Sequence, residues 1–322
     1  MKILVVGGAG YIGSIAVKNL LANNHEVVIF DNLSTGFERL INKNAEFIKG
    51  DLLNPRDLET VFKSNEIDVV MHFAAYSLVG ESVENPQKYF TNNISGSLGL
   101  FRAMLASGVK KFIFSSTAAI FGEPEKVPIE ENDPKNPTNP YGVSKLAIEN
   151  ILDAYDHAYG LKSICLRYFN AAGADPEGNF GEMHNPETHL IPLALKAAKG
   201  TREGIQIYGT DYPTPDGTCV RDYIHVEDLI DAHILALDYL EKENKSERFN
   251  LGSENGYSVK EVIAKCQEIT GIDFKVEETD RRPGDPPVLV ASSQKIRKIL
   301  GWKAKYSLKD IIRDAWAWEQ KN

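Results

Sequence analysis

The chain has 322 residues, 43% hydrophobic and 25% charged, and its formal net charge is −9. That balance suits a soluble globular protein of one large or two modest domains, and the acidity, without a basic run, argues against nucleic acid as a partner. Three scattered cysteines (Cys165, Cys219, Cys266) without a CxxC pair suit a reducing cytoplasm, and neither a signal peptide nor an apolar run near the roughly 18 residues of a membrane span is expected.

The first apolar run, Ile3-Leu4-Val5-Val6, reads as a buried parallel strand. It feeds Gly7-Gly8-Ala9-Gly10-Tyr11-Ile12-Gly13, after which Ile15, Ala16, Leu20 and Leu21 can line one face of a helix. Strand, glycine turn and helix form the context of a dinucleotide fingerprint. The glycines allow a tight turn and close approach of a pyrophosphate, and the helix N-terminus points N–H groups at it. A second strand, Glu26 to Phe30, ends in Asp31. An acid about 20 residues beyond the glycines is placed to accept hydrogen bonds from an adenosine ribose, and it would repel a 2′-phosphate. NAD is therefore expected rather than NADP.

Strand–helix units continue. Residues 45–50 read as a strand closing on Asp51, 58–62 as helix, 68–75 as strand, and a long helix follows Pro86. Lys110 to Thr117 is a strand, Pro140 to Tyr159 a helix, and Lys162 to Asn170 another strand. The fold class is α/β: a doubly wound parallel Rossmann sheet over residues 1–170, with 220–250 packing back on it. From 171 a long polar loop precedes a smaller C-terminal α/β domain, with strands at 205–208, 248–251 and 274–276 and helices at 190–199, 226–240, 259–270 and 308–318.

In a parallel sheet, ligands sit at the carboxyl ends of strands. There Ser115-Ser116-Thr117 arrives, followed by Tyr141-Gly142-Val143-Ser144-Lys145, whose Tyr141 and Lys145 share one helical face. A phenol of ordinary pKa near ~10 is a poor base at neutral pH, and a nearby ammonium or a cationic nicotinamide lowers it. With the Thr117 hydroxyl on the same substrate oxygen, the set is a proton-transfer device beside a hydride acceptor.

These residues, with Asp31-Asn32-Leu33, Gly50-Asp51-Leu52, His72-Phe73-Ala74-Ala75, Asn92-Asn93, Arg167-Tyr168-Phe169-Asn170, Gly209 to Gly217 and Val220 to Val226, carry a resemblance along nearly the whole chain. The chain resembles the extended short-chain dehydrogenase/reductase family, and within it the UDP-hexose 4-epimerases. The resemblance implies reversible interconversion of UDP-glucose and UDP-galactose through a 4-keto sugar on tightly held NAD, in a cytoplasmic homodimer. By it, Thr117, Tyr141 and Lys145 are catalytic. The cofactor falls to Gly7, Gly10, Tyr11, Ile12, Gly13, Asp31, Asn32, Leu33, Ser34, Thr35, Gly36, Asp51, Leu52, Phe73, Ala74, Ala75, Tyr76, Ser77, Asn92 and Phe169, with Thr117, Tyr141 and Lys145 beside it. The UDP-sugar falls to Asn170, His189, Leu190, Gln206, Ile207, Tyr208, Arg221, Leu289 and the stretch Arg282 to Asp285, and residues 171–322 become its domain. Guanidinium forks at Arg221 and Arg282 suit phosphate oxygens.

Some positions depart from the family pattern. Thr117 replaces a common Ser and keeps the hydroxyl, Ser77 replaces a Lys, His189 replaces an Asn, and Leu289 replaces a Tyr found in some members. The last two bear on which sugar is accepted. Some turnover of UDP-N-acetylglucosamine is expected because Leu289 leaves room. Glu182, His184, Glu187 and His189 offer metal-ligand chemistry, but they fall in a loop, and no metal is expected. A nucleotide-sugar 4,6-dehydratase would need an acid–base pair where Ala118 and Ala119 stand. A non-catalytic NAD sensor would need neither Tyr141 nor Lys145.

Overall fold

The computed structural model describes residues 1–282 and 284–322. Pro283, inside the stretch expected at the diphosphate, lies outside the described residues. The chain divides into two compact units. The first is Met1–Glu123, Pro134–Arg167 and Ala232–Phe249; the second is Pro124–Asp133, Tyr168–Asp231 and Asn250–Asn322.

The early elements follow the alternation of the sequence: β1 (Lys2–Val6), α1 (Tyr11–Ala22), β2 (Glu26–Asp31), β3 (Glu46–Lys49), α2 (Pro55–Ser64) and β4 (Val69–His72). Then come α3 (Val79–Glu84), α4 (Pro86–Tyr89), a π-helical turn Phe90–Ser95, α5 (Gly96–Ala106), β5 (Lys111–Thr117), α6 (Pro140–Tyr159) and β6 (Lys162–Tyr168). The remainder is β7 (Asn170–Ala172), α7 (Leu190–Lys199), β8 (Gly204–Tyr208), β9 (Val220–His225), α8 (Val226–Glu243), β10 (Glu247–Leu251) and β11 (Gly256–Ser258). It closes with α9 (Val259–Thr270), β12 (Lys275–Thr279), β13 (Val288–Leu289), α10 (Gln294–Leu300) and α11 (Leu308–Lys321).

Seven strands form one sheet in the order β10-β6-β5-β4-β1-β2-β3. The pairs β1–β2, β2–β3, β1–β4 and β4–β5 are parallel. The order reverses direction between β1 and β4, the place where such sheets open a ligand crevice. Apolar side chains of β1, β2, β4 and β5 meet those of α2, α5 and α6 (Leu4, Phe30, Leu58, Leu100, Phe101, Phe112, Ile148, Leu152) in one buried cluster. The second unit has its own cluster, built from α7, α9, α11 and β8, with Ile191, Leu195, Ile205, Ile207, Val262 and Ile311 at its centre.

Three expectations change. The strand expected to reach residue 75 stops at His72, because Phe73 N and Ala74 N both donate to the Val6 carbonyl. The helix after Pro86 is broken by the π-turn, where Asn93 turns inward. Its Oδ1 accepts from Tyr76 N at 3.0 Å, and its Nδ2 donates to Tyr76 O at 3.1 Å and Ser144 Oγ at 3.1 Å. The strand expected at 162–170 splits at Phe169, after which β7 leaves the large sheet and pairs with β9.

Candidate active site

The glycine turn closes on itself. Gly7 has φ +84, and a Cβ there would lie 2.6 Å from Ala74 N. A Cβ on Gly13 would lie 2.1 Å from Gly7 O, so α1 crosses the turn only without a side chain at that point. Gly10 caps α1; no side chain caps the helix and its first turn holds no acid. That leaves an electropositive helix start suited to a pyrophosphate.

Asp31 ends β2 beside this turn. Its carboxylate accepts from Ala9 N at 3.0 Å and Leu33 N at 2.8 Å, which leaves lone pairs for a diol. Burial raises its pKa and those two N–H groups oppose the rise. Asn32 bridges to Asp51 at 2.9 Å and accepts from Ser34 N, with Ser34 and Thr35 exposed beside it. Gly36 lies under Ala9, and Leu52 is buried against Gly96. Residues 7–13, 31–36 and 51–52 thus gather at one sheet edge. Phe73 stacks on His233, with centroids 5.0 Å apart, and His233 is a buried contact the sequence reading missed. Tyr76 lies against Tyr89 and under Lys88 Nζ, Ala75 and Asn92 are half-buried, and Ser77 is exposed. This donor set — uncapped helix, acid and asparagine-bearing loops — fits a dinucleotide.

The catalytic candidates meet within the first unit. Pro140 starts α6 and Asn139 caps it, accepting from Gly142 N at 2.9 Å, so Tyr141 sits in the first turn. Its phenol hydrogen-bonds the Thr117 side chain, which also accepts from Ala119 N at 3.1 Å. Lys145 Nζ donates to Ser115 O at 2.7 Å and lies 5.9 Å from the Tyr141 ring centroid. The expected lowering of the phenol by Lys145 is absent in the chain alone. Burial raises Tyr141 above its ordinary value, with only Thr117 opposing, and burial lowers Lys145 to about 7.

Behind this trio is a network the sequence reading did not single out. Ser116 Oγ donates to Glu149 Oε1 at 2.5 Å. Arg167 grips the same carboxylate through Nε at 3.1 Å and a terminal nitrogen at 2.7 Å. All three are buried. Burial works against the Glu149 charge, but Arg167 outweighs it and holds the carboxyl below its usual range. The network pins α6 to the end of β5, one residue from both Ser115 and Thr117.

The second unit holds the other candidates. Asn170 opens β7 opposite Tyr223, and Arg221 of β9 lies opposite Leu289 of β13. Arg221 pairs with Asp285, whose other oxygen is 3.8 Å from Cys219 Sγ. Arg282 lies over the Tyr208 ring at 3.9 Å, and Tyr208 OH donates to Gln206 at 2.8 Å. Ile207, between them on β8, turns its side chain into the core, so only its main chain is available to a ligand. Leu190 also packs on that core. His189 caps α7 but spends its ring on Glu182. Phe169 is half-buried, its N–H donating to Leu251 O. Glu182 is held down at about 2, since the His189 and His184 contacts outweigh burial, and Glu182 and Glu187 raise His184 to about 10.

A glycine turn after β1, an acid at the end of β2, Thr117 at the end of β5 and Tyr141 with Lys145 on α6 make up an NAD-dependent oxidoreductive site on a Rossmann sheet. The chain belongs to the NAD dependent epimerase/dehydratase family, whose pattern matches residues 3–252. It is 53% identical to a UDP-glucose 4-epimerase of Lacticaseibacillus casei, covering 100% of this chain and 98% of that one. A crystal structure of a UDP-glucose 4-epimerase superposes with TM-score 0.98 at 52% identity, covering 100% of this chain and 98% of that one. The Bifidobacterium longum UDP-glucose 4-epimerase, solved with NAD+ and UDP, superposes with TM-score 0.95 at 39% identity, covering 100% and 99%.

Proposed function

We propose that the protein is a UDP-glucose 4-epimerase, interconverting UDP-glucose and UDP-galactose through a 4-keto sugar with NAD held throughout. The carrying observation is the Tyr141–Thr117 hydrogen bond at the end of β5, with Lys145 one turn on and donating to Ser115 O. When bound, NAD takes up and returns the C4 hydride. Tyr141 accepts the proton of the sugar 4-OH and gives it back, and Thr117 orients that oxygen. Lys145 supplies positive charge beside the phenol. Asp31, Asn32 and the N-terminus of α1 hold the cofactor; Arg221 and Arg282, steadied by Asp285 and Tyr208, hold the diphosphate. The Bifidobacterium longum relative, solved with NAD+ and UDP together, supports this reading. Ala118 and Ala119 follow Thr117 and transfer no protons, which disfavours the dehydratase alternative.

The test is incubation of purified protein with UDP-glucose and no added NAD, products read by NMR. UDP-galactose should appear. A requirement for stoichiometric external NAD, with NADH released, would overturn the closed cycle. Half-buried Leu289 supports a second activity on UDP-N-acetylglucosamine, and Leu289→Tyr should suppress that substrate far more than the plain one. Equal losses would remove Leu289 from the sugar pocket. Exposed Leu98 and Val143, on α5 and α6, support a homodimer through these helices, checked by light scattering. Among the described residues no helix is long and apolar enough to cross a membrane. The free, buried cysteines support a cytoplasmic setting.

A further inference from the structure

The loop between β7 and α7 gathers four side chains the reaction does not need together. One ligating atom from each of Glu182, His184, Glu187 and His189 lies within 4.8 Å of every other. We propose that these four residues form a binding site for one first-row divalent transition cation, with zinc as the reference ion.

The expectation of no metal rested on the absence of a helix or strand to fix the loop. The fold fixes it otherwise. Trp318 Nε1 donates to Glu182 O at 2.9 Å, and its indole packs on Gly181 so tightly that a Cβ there would lie 2.5 Å from the ring. Glu187 Oε1 accepts from Thr188 N at 2.7 Å and His189 N at 2.9 Å, which locks the carboxylate at the start of α7. Solvated surface acids are common without a metal, but the Glu182 and Glu187 side chains are each only 5% exposed.

The donors also converge as ligands do. His184 and His189 both turn Nδ1 to the same oxygen, Glu182 Oε1, with His184 at 3.0 Å. His184 Nδ1 is also 3.8 Å from Glu187 Oε1. Two imidazole nitrogens and two carboxylate oxygens suit zinc, which takes them at about 2.0–2.2 Å in a tetrahedron. Such a tetrahedron has edges of about 3.3–3.6 Å by the same bond lengths, so the widest donor pairs need to close by roughly 1.5 Å at most and the His184–Glu182 pair, at 3.0 Å, to open slightly. The two imidazoles stand with ring centroids 5.3 Å apart, near enough to share one ion.

The site is tested on the full chain with its bound cofactor, stripped with a chelator and titrated with Zn²⁺ by calorimetry and with Co²⁺ by visible absorption. One equivalent of Zn²⁺ per chain is expected, with Co²⁺ bands of a four- or five-coordinate N/O site. His184→Ala and Glu187→Gln should weaken uptake by more than about 100-fold, since even partners outside the ligand shell cost 10–100-fold. His157→Ala, at an exposed histidine on α6, should change nothing. Should a variant fail to fold, the parent protein decides: Zn²⁺ should protect His184 and His189, and not His157, from acylation read by mass spectrometry. Absence of stoichiometric uptake, uptake unchanged in His184→Ala, or equal modification with and without Zn²⁺ would leave an ion-pair cluster and overturn the proposal.

Discussion

Tyr141→Phe separates catalysis from structure. The substitution removes one oxygen and keeps the ring against its neighbours. Its partner keeps one bond, because the Thr117 oxygen still accepts from Ala119 N at 3.1 Å. The stability cost is that of one hydrogen bond, about 0.5–1.5 kcal/mol. The kinetic cost is far larger if Tyr141, hydrogen-bonded to Thr117, is the acid–base group of the proposed reaction. Loss of general acid–base catalysis slows turnover by about 10²–10⁴-fold, or roughly 2.7–5.4 kcal/mol of barrier. NAD retention should be unchanged. The assay pairs NMR-detected turnover of UDP-glucose with a denaturant midpoint and the bound NAD content of the same preparation. Turnover within a few-fold of the parent would remove Tyr141 as the base. A stability loss matching the kinetic loss would mean that the variant is slow because it is unfolded.

Three further outcomes follow from the same unit. Gly13→Ala drives a methyl to 2.1 Å from Gly7 O, backbone that cannot yield, so the variant should purify with little NAD; full cofactor content by absorbance would contradict the tight crossing. Glu149→Ala takes from buried Arg167 its carboxylate partner, at about 3–5 kcal/mol, whereas Glu149→Met with Arg167→Met should recover most of it; equal losses by urea titration would show that the pair is not coupled. Lys145→Met should abolish turnover yet raise stability below pH 7. The parent lysine titrates near 7 when folded and near ~10.4 when unfolded, so the unfolded chain binds the extra proton and parent stability rises with pH across that window. The gap between variant and parent should therefore narrow from pH 7 to 10, and a constant gap would refute the burial argument.

The parallel sheet was legible because β1, β2 and β4 carry apolar runs (Ile3 to Val6, Val27 to Phe30, Val69 to Met71) and strands alternate with helices. The glycine turn was legible because Gly7 and Gly13 meet within one short stretch of chain. What escaped depends on distant partners. Asn92-Asn93 is a poor pair for a helix interior, and that was the signal of the π-turn through which Asn93 holds Tyr76. Arg167 lies inside a strand and Glu149 on a helix, 18 positions apart, so neither announces the other. Strands β11 and β13 are too short for any periodicity. Residues 124–133 join the second unit through a bridge from Ile129 to Ala291 that no local pattern announces.

The electrostatics of the trio assign the charge its source. A tyrosine and a lysine one turn apart suggest that the ammonium makes the phenol a base. The geometry gives Lys145 a different first partner, the Ser115 carbonyl, and a burial that drains its own charge near neutral pH. Tyr141, raised rather than lowered, stays protonated in the chain alone. Two positive charges are then available to shift it: an ammonium kept protonated when anionic ligand groups enter, and the oxidised nicotinamide itself. Both arrive with binding. On the proposed mechanism, Tyr141 becomes a base only with the cofactor and substrate in place. Glu149 completes this arrangement from behind. Its carboxylate opposes the burial that lowers Lys145, while Arg167 pairs with the same carboxylate.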